Sequence, residues 1–220
     1  MESVASRLER ILSELPSGVR LAAVSKFHPV ERLMEAYEAG QRIFAESRPQ
    51  EFAAKVPQMP ADVEWHFIGH LQTNKLKLVL PYVTLVQSVD SEHLLQAIEQ
   101  WAAGHGRTIS VLLEVHISSD VAKQGFTADG ILSVLGRSAD FPHIRFRGLM
   151  GMATLTDDAA VIAGDFARIA ALKALVNEKF PNLSDLTELS IGMSDDWPLA
   201  VRAGSTMVRI GTAIFGPREY

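Results

Sequence analysis

The sequence contains no cysteine, so disulfide bonds, thiol catalysis and zinc–thiolate sites are excluded. No apolar run approaches the ~18 residues that a membrane-spanning helix needs. The amino-terminal segment has a charged amphipathic pattern at Leu8, Ile11, Leu12 and Leu15, unlike the uninterrupted apolar core of a signal peptide. The sequence therefore predicts a cytoplasmic protein with no membrane partner.

An excess of positive charge is also lacking. There are 21 Lys+Arg residues against 26 Asp+Glu residues, and the resulting net charge of -5 gives no reason to expect a nucleic-acid partner. Hydrophobic residues make up 47% of the 220 residues, which predicts a well-filled core. Since no linker or low-complexity stretch interrupts the chain, residues 1–220 are expected to form a single domain. No coiled-coil pattern or exposed apolar stripe is evident, and a monomer is expected.

Several glycine-rich motifs are missing: the sequence has no dinucleotide fingerprint, P-loop or Gly-x-Ser-x-Gly elbow. Apolar β-type runs instead alternate with runs of helical period. Strands are predicted at residues 21–26, 42–47, 63–69, 84–90, 109–117, 145–152, 187–193 and 206–211. Helices are predicted after the first strand up to Gly40, after an Asp90 or Ser91 cap, over residues 74–82 and 127–139, and from Thr156 or Asp157 to near Pro181.

Eight strands alternating with helices, with one extra helix in front, predict a (β/α)8 TIM barrel. The alternative is an open doubly wound sheet. Such a sheet normally carries a glycine fingerprint after its first strand, where this sequence has Ser-Lys-Phe-His-Pro at residues 25–29. A barrel brings its active-site residues to the carboxyl ends of the strands, so the residues that follow each strand are the candidates for function.

Lys26 stands at the carboxyl end of the first predicted strand. Burial of an ammonium group lowers its pKa, and the neutral amine can then condense with a carbonyl. The alternative is a structural lysine held in an ion pair. On the last strand, alternation places Met207, Arg209 and Gly211 on one face, and Val208 and Ile210 suit the helix layer on the other. Arg209 is therefore expected to point inward, toward a ligand or toward a barrel carboxylate.

Two turn sequences follow the last two strands. Gly192 and Ser194 open the segment before one helix, and Gly211 and Thr212 open the next. Neighbouring helix starts after strands seven and eight often bind phosphate in barrels, because their N–H groups converge on one anion. The alternative is that both are ordinary helix caps.

Five sequence blocks together resemble the pyridoxal phosphate homeostasis proteins, a family similar to the barrel domain of alanine racemases. The blocks are Ala-Val-Ser-Lys at 23–26, Trp-His-Phe-Ile-Gly at 65–69 with Leu-Gln-Thr-Asn-Lys at 71–75, Arg-Gly-Leu-Met at 147–150, Gly-Met-Ser-Asp-Asp at 192–196 and Met-Val-Arg-Ile-Gly-Thr-Ala-Ile-Phe-Gly at 207–216. The match extends from about residue 20 to the end of the sequence. The resemblance implies a fold-type III barrel that binds pyridoxal 5'-phosphate (PLP).

The resemblance also implies roles for single residues. Lys26 would carry PLP as a Schiff base, and Arg209 would face the pyridine nitrogen. Ser194, Gly211 and Thr212 would hold the phosphate. Asn74 would lie in the same mouth without an assigned contact. No catalytic residue and no metal ligand is assigned.

The sequence departs from the family pattern in one loop. Ala45 and Ser47 stand where the family usually has glycine and asparagine, so a cofactor contact by this loop is not assigned. Lys123 matches a family Lys-x-Gly element, or it is a solvated loop lysine. His66 and His70 have the spacing of a metal pair, but Gly69 interrupts and no helix is expected there.

Three functions follow as hypotheses. The first is a carrier that buffers PLP and supplies it to PLP-dependent apoenzymes in vitamin B6 homeostasis, without turnover. The second is a PLP-dependent amino-acid racemase, which needs an acid–base group on each face of its substrate. In the racemases a tyrosine from a second domain of a partner subunit fills this role, and none is expected here because the sequence ends at Tyr220, directly after the eighth unit. The third, a cofactor-free scaffold, leaves Lys26 and Arg209 unexplained.

Overall fold

Eight parallel strands pair in chain order and close into a barrel in the computed structural model, which describes residues 2–117 and 124–217. The strands are β1 (Arg20–Val24), β2 (Ile43–Glu46), β3 (Glu64–Phe67), β4 (Leu85–Val89), β5 (Ile109–Val115), β6 (Ile144–Gly151), β7 (Glu188–Ser190) and β8 (Met207–Ile210). Pairing of β1 with β8 closes the sheet. The predicted (β/α)8 barrel is confirmed, and the open doubly wound sheet is wrong.

Helices connect successive strands, and one helix precedes β1. They are α1 (Val4–Glu14), α2 (Val30–Glu38), α3 (Pro49–Lys55), α4 (Leu76–Val79), α5 (Glu92–Gly104), α6 (Ala128–Gly136), α7 (Ala159–Lys179), α8 (Trp197–Arg202) and α9 (Thr212–Phe215). Short 3-10 helices cover Val56–Gln58, Thr73–Lys75 and Ser138–Asp140. No predicted helix corresponds to α3. Its apolar pattern is short and begins directly at Pro49.

Side-chain caps decide where two of the helices begin. The Ser91 hydroxyl accepts the Leu94 N–H and caps α5, as predicted. The α7 helix was expected to open at Thr156 or Asp157, and this prediction is wrong. Asp158 is the cap, because its carboxylate accepts the Ala160 N–H at 2.8 Å.

The core has two layers that follow the period-two alternation of the strands. The outer layer lies between the sheet and the helices and contains Val208 and Ile210, as predicted. The inner layer fills the barrel and consists of Ala22, Ala45, Leu85, Leu112, Met150 and Met207. Because the interior is packed, ligands can reach the barrel only at its ends.

The α1 helix is part of this fold. Val4, Leu8 and Ile11 are buried, and α1 packs against α2 and α9. Leu12, in the last turn of α1, is 42% exposed. Among residues 2–117 and 124–217, no helix combines the length and apolar character that a membrane span requires.

Candidate functional site

Lys26 lies in a tight turn that ends β1. The Ser25 N–H donates to the Ala45 carbonyl at 3.0 Å, and the His28 N–H donates to the Ser25 carbonyl at 3.2 Å. Phe27 has a φ of 68°, in the left-handed region that bulky residues rarely adopt. This turn takes the chain out of the sheet and leaves Lys26 half-buried at the carboxyl end of the strand.

The ends of β1 and β8 adjoin each other. Ala22 pairs with Arg209 across the two strands, and Ala23 pairs with Ile210. A Cβ atom on Gly211 would lie 3.0 Å from the Val24 carbonyl oxygen, so the backbones approach closely just before Lys26. The fold therefore brings the predicted amine and the predicted phosphate turn to neighbouring strand ends.

Arg209 points into the barrel, as alternation along β8 predicts, and is 4% exposed. Its Nη1 donates to the Ser190 carbonyl at 2.7 Å and to the Ser190 hydroxyl at 2.8 Å. Its Nη2 donates to the Gly151 carbonyl at 3.0 Å. Burial lowers the pKa of Arg209 to about 10, opposed by the charges of Glu114 and Asp196. In the part of the chain that the structure describes, the direct acceptors of Arg209 are neutral, and no carboxylate forms the ion pair that the barrel-carboxylate alternative requires.

A chain of buried hydrogen bonds continues behind Arg209. The Ser190 hydroxyl donates to Gln87 Oε1 at 2.7 Å, and Gln87 Nε2 lies 2.9 Å from His66 Nδ1. Burial lowers the pKa of His66 to about 3, so its ring is neutral and its Nδ1 can accept from Gln87. Every hydrogen bond in this series is therefore donated in the same direction, from Arg209 toward His66. The sequence analysis missed Gln87 and Ser190, which carry no motif of their own.

The turn after β7 is built around Gly192. This residue has a φ of 95°, and a Cβ atom on it would lie 2.6 Å from the Ala200 Cβ. The following Ser194 accepts the Gly211 N–H at 3.4 Å, which joins the turns after β7 and β8. Asp196 caps this region by accepting the Met193 N–H at 2.5 Å. Two helix starts thus meet beside the end of β8, where their first N–H groups have no partner within their own helices.

An acidic group that the sequence analysis also missed lies at the mouth. Glu114 shares the inner face of β5 with Leu112, and β5 lies opposite β1 in the closed strand order. Burial, reinforced by the Asp90 carboxylate, raises the pKa of Glu114 to about 7 against the opposing charges of Arg209 and His70. His70 Nδ1 lies 3.0 Å from the Asp90 carboxylate. Glu114 can therefore exchange a proton near neutral pH.

The other predicted positions fall in different places. Asn74 is exposed in the 3-10 helix after β3. The Ala45 methyl group fills the barrel interior. The Ser47 carbonyl lies so close to Gly69 that a Cβ atom there would be 2.1 Å from it. Lys123 lies outside the described residues.

The histidine pair does not form a metal site. His66 is buried against Gln87, whereas His70 contacts Asp90, so the two rings have separate partners. No cluster of three or more metal-ligating side chains is found within residues 2–117 and 124–217.

Comparison with known proteins identifies the family. The alanine racemase N-terminal domain family matches residues 1–219. The pyridoxal phosphate homeostasis protein of Vibrio alginolyticus is 35% identical over 235 aligned positions, which cover 100% of both chains. The chain belongs to the pyridoxal phosphate homeostasis protein family. The resemblance drawn from the sequence blocks is thereby confirmed.

Solved structures agree with this family assignment. PipY of Synechococcus elongatus PCC7942, determined with PLP bound, is 38% identical and superposes with a TM-score of 0.90 over 97% of this chain and 100% of PipY. An alanine racemase of Clostridium difficile 630 is 15% identical, with a TM-score of 0.76 over 96% of this chain and 56% of the racemase. The racemase shares the barrel fold alone, whereas PipY shares both the fold and the family.

Proposed function

We propose that this protein binds pyridoxal 5'-phosphate at the carboxyl end of its barrel and holds it for buffering and supply in vitamin B6 homeostasis. The single observation that carries the proposal is Arg209, a buried cation among neutral acceptors beside the Lys26 turn. Burying a charge without an ion pair is costly, so such a cation is expected to serve a ligand. The names of the relatives and PLP-bound PipY support PLP as that ligand.

The residues of the mouth fit this cofactor. The Lys26 amine would bond to the aldehyde carbon of the cofactor with loss of one water molecule. Arg209 would donate to the pyridine nitrogen. Ser194, Gly211 and Thr212 would hold the phosphate, because the two helix starts offer N–H groups and Gly211 permits a close backbone approach. Asn74 lies at the same end of the barrel and is proposed as a peripheral member of the site.

The surroundings of Arg209 favour a carrier over an enzyme. Bound PLP supplies an electron sink for carbanion chemistry, and that sink is strongest when the pyridine nitrogen is protonated. Arg209 has no acceptor lone pair, so it can only donate a hydrogen bond to that nitrogen and disfavours its protonation. A PLP-binding protein that holds the cofactor in this way would release it to PLP-dependent apoenzymes and would not turn over amino acids.

The racemase alternative needs a second acid–base group opposite Lys26. Tyr37 bonds to Asp62 near the carboxyl end of α2, and Tyr82 precedes β4, so both lie toward the amino end of the barrel. Tyr220 lies outside the described residues. Glu114 on β5 is the group whose position and pKa would suit the role.

The covalent assignment is tested by reduction and peptide mapping. Borohydride treatment of the PLP-loaded protein should fix one pyridoxyl group on the peptide that contains Lys26. Lys26→Ala should abolish this label, and Lys179→Ala, an exposed position at the end of α7, should leave it intact. A full label in Lys26→Ala would overturn the assignment.

The phosphate assignment is tested by comparing PLP with pyridoxal. Charge-assisted hydrogen bonds contribute ~1.5–3 kcal/mol each, so the loss of the phosphate should weaken binding by several kcal/mol. Equal affinities for the two vitamers would refute a phosphate site at Ser194, Gly211 and Thr212.

Deuterium exchange at Cα of alanine and other amino acids distinguishes the carrier proposal from the racemase alternative. The carrier proposal expects exchange at the rate of free PLP, together with transfer of the cofactor to an apoenzyme. Racemisation on the order of 1 per second or faster, abolished by Glu114→Gln, would establish the alternative.

We also propose that residues 1–220 form one domain that acts as a monomer in the cytoplasm. The burial of α1 residues such as Leu8 in the common core supports a single domain. Sedimentation equilibrium and cell fractionation test the two statements. A dimer, or recovery of the protein outside the cytoplasm, would contradict them.

A further inference from the structure

A buried ion cluster lies directly beneath the Lys26 turn. Lys55 is 6% exposed, and its Nζ lies 2.7 Å from Glu46 Oε1 and 2.7 Å from Glu51 Oε1. The same Nζ donates to the Ser25 carbonyl at 2.8 Å. Lys55 thus has three acceptors from three elements: the end of β2, the helix α3 and the turn after β1.

The cluster holds both peptide groups that flank Lys26. On one side, Lys55 binds the Ser25 carbonyl, and the Ser25 hydroxyl donates to Glu46 Oε1 at 2.6 Å. On the other side, the Phe27 N–H donates to Glu51 Oε1 at 2.6 Å. The backbone on either side of Lys26 is therefore fixed by charge-assisted hydrogen bonds, which are the stronger class.

The conformation of this turn needs such support. Phe27 adopts a φ of 68°, and an aromatic residue in the left-handed region persists only where its surroundings enforce it. The Arg48 guanidinium covers the Phe27 ring at 4.3 Å from its centroid, which adds a contact on the outer side. Without the cluster, the turn would relax and the Lys26 side chain would change direction.

A contribution to stability alone does not account for this cluster. Glu46 is fully buried, and its Oε2 has no hydrogen-bond partner among the described residues. Buried ion pairs of this kind are often no more stabilising than apolar residues of similar volume. Their attested benefit is geometric specificity, and here the geometry that is fixed belongs to the peptide groups of Lys26.

We propose that Lys55, together with Glu46 and Glu51, is a positioning residue for Lys26. The cluster aims the Lys26 amine at the aldehyde of the cofactor without touching the cofactor itself. This inference rests on the proposed function, since Lys26 must be the attachment point. It predicts that disturbing the cluster weakens the covalent linkage and leaves phosphate and ring binding unchanged.

The test uses Glu51, which is the most exposed member of the cluster. Lys55→Met would leave Glu46 buried without its cation and is expected to compromise folding. Glu51→Ala removes the acceptor of the Phe27 N–H and leaves the Glu46–Lys55 pair in place. Glu51→Gln retains an oxygen that can accept the same N–H and serves as the conservative variant.

Two ligands separate positioning from a general structural effect. PLP carries the aldehyde, and its 4'-deoxy analogue binds through ring and phosphate only. Glu51→Ala should weaken PLP binding on the order of tenfold to a hundredfold, because a small displacement of a reacting group has effects of this size. The affinity for the deoxy analogue should stay at the wild-type value, and Glu51→Gln should recover most of the PLP affinity.

Glu99→Ala is the matched control. Glu99, on α5, is also a helix carboxylate that accepts a backbone N–H, that of His143 at 3.0 Å, but this contact lies at the amino end of the barrel, just before β6. The Glu99→Ala variant should bind both PLP and the deoxy analogue with wild-type affinity. Equal losses for both ligands in Glu51→Ala, or no loss for either, would overturn the inference. Failure of the wild-type protein to form a reducible bond at Lys26 would instead refute the proposed function.

Discussion

At the scale of single residues, the feature that most shapes the site is a buried guanidinium with neutral partners. Arg209 is oriented by Ser190, and Ser190 is oriented by Gln87. A hydrogen bond to a charged donor is stronger than a neutral one, but it depends on an acceptor held in the right direction. The Ser190 hydroxyl therefore connects the charged Arg209 guanidinium to the neutral hydrogen bonds that continue through Gln87.

Ser190→Ala should lower both stability and PLP affinity. The change removes an acceptor from Arg209 and leaves Gln87 Oε1 without its donor, at a cost of about 2 kcal/mol in the free energy of unfolding. Urea denaturation measures the stability, and equilibrium dialysis measures the affinity. Ser88→Ala is the control, because the Ser88 hydroxyl is equally buried but, among the described residues, bonds only the Gly69 carbonyl. It should cost about 1 kcal/mol and leave the affinity unchanged. Equal effects of the two variants on PLP affinity would contradict the role of Ser190.

Glu114 should make stability fall as the pH rises. Its pKa is raised from 4.5 to about 7 in the folded state, so the folded protein binds more protons than the unfolded chain between these values. Glu114→Gln, which imitates the neutral form, should therefore gain stability relative to wild type across this window. The gain should reach about 1–2 kcal/mol near pH 8 after allowance for partial exposure. Denaturation at a series of pH values checks the trend, and a pH-independent difference would show that Glu114 titrates normally.

At the scale of the elements, the decisive feature is the short β7 strand and the turn that replaces its predicted end. The β-type pattern runs to Met193, and the regular strand ends at Ser190, although Ile191 and Gly192 still form backbone hydrogen bonds with β8. Gly192 then takes a left-handed conformation against α8. The chain turns away from the sheet after Gly192, which brings Ser194 beside the Gly211 N–H and so forms the proposed phosphate site.

Gly192→Ala should destabilise this turn by about 2–3 kcal/mol, through both its positive φ and the contact with Ala200. In an Ala200→Gly background the same change should cost about 1 kcal/mol less, because only the steric part is relieved. A double-mutant cycle by thermal or urea unfolding measures this coupling. Gly164→Ala, exposed in α7 with no atom within 4 Å of the new Cβ, should be neutral or stabilising. Strict additivity at Gly192 and Ala200 would show that the close contact is not real.

At the scale of the whole molecule, barrel closure makes one candidate binding site from widely separated strands. Residues of β1, β7 and β8 meet because β8 pairs with β1, while β5 faces them across the mouth. A ligand that contacts all these strands binds only the folded chain. Its binding free energy therefore adds to the stability of the entire barrel.

Saturating PLP should accordingly raise the melting temperature of the protein. At a free concentration of ~100 times Kd the gain is ~2.7 kcal/mol, which corresponds to roughly 5–10 °C for a chain of this size. Differential scanning fluorimetry with and without PLP measures the shift. Lys26→Ala, examined at the same PLP concentration, should show a smaller shift because the covalent linkage is lost. A full shift in that variant would mean that Lys26 contributes nothing to binding.

The sequence by itself determined the order of elements and the barrel, and it proposed most residues of the candidate site. Local spacing is enough for this, since alternation along β8 orients Arg209, and glycines mark the turns at Gly192 and Gly211. The predicted strand ends were too long, because an apolar pattern does not show where the ladder stops. The exact cap of α7 was also missed, because Thr156, Asp157 and Asp158 all carry capping side chains.

Only the tertiary structure decided what surrounds these residues. Ser190 and Gln87 are separated by 103 residues along the chain, and their hydrogen bond exists because the closed barrel places β4 and β7 around one interior. Glu114 acquires its raised pKa from burial opposite β1, and Lys55 reaches Ser25 through the packing of α3 on the sheet. Such contacts depend on strand register and barrel closure, which involve every strand at once and leave no local pattern in the sequence.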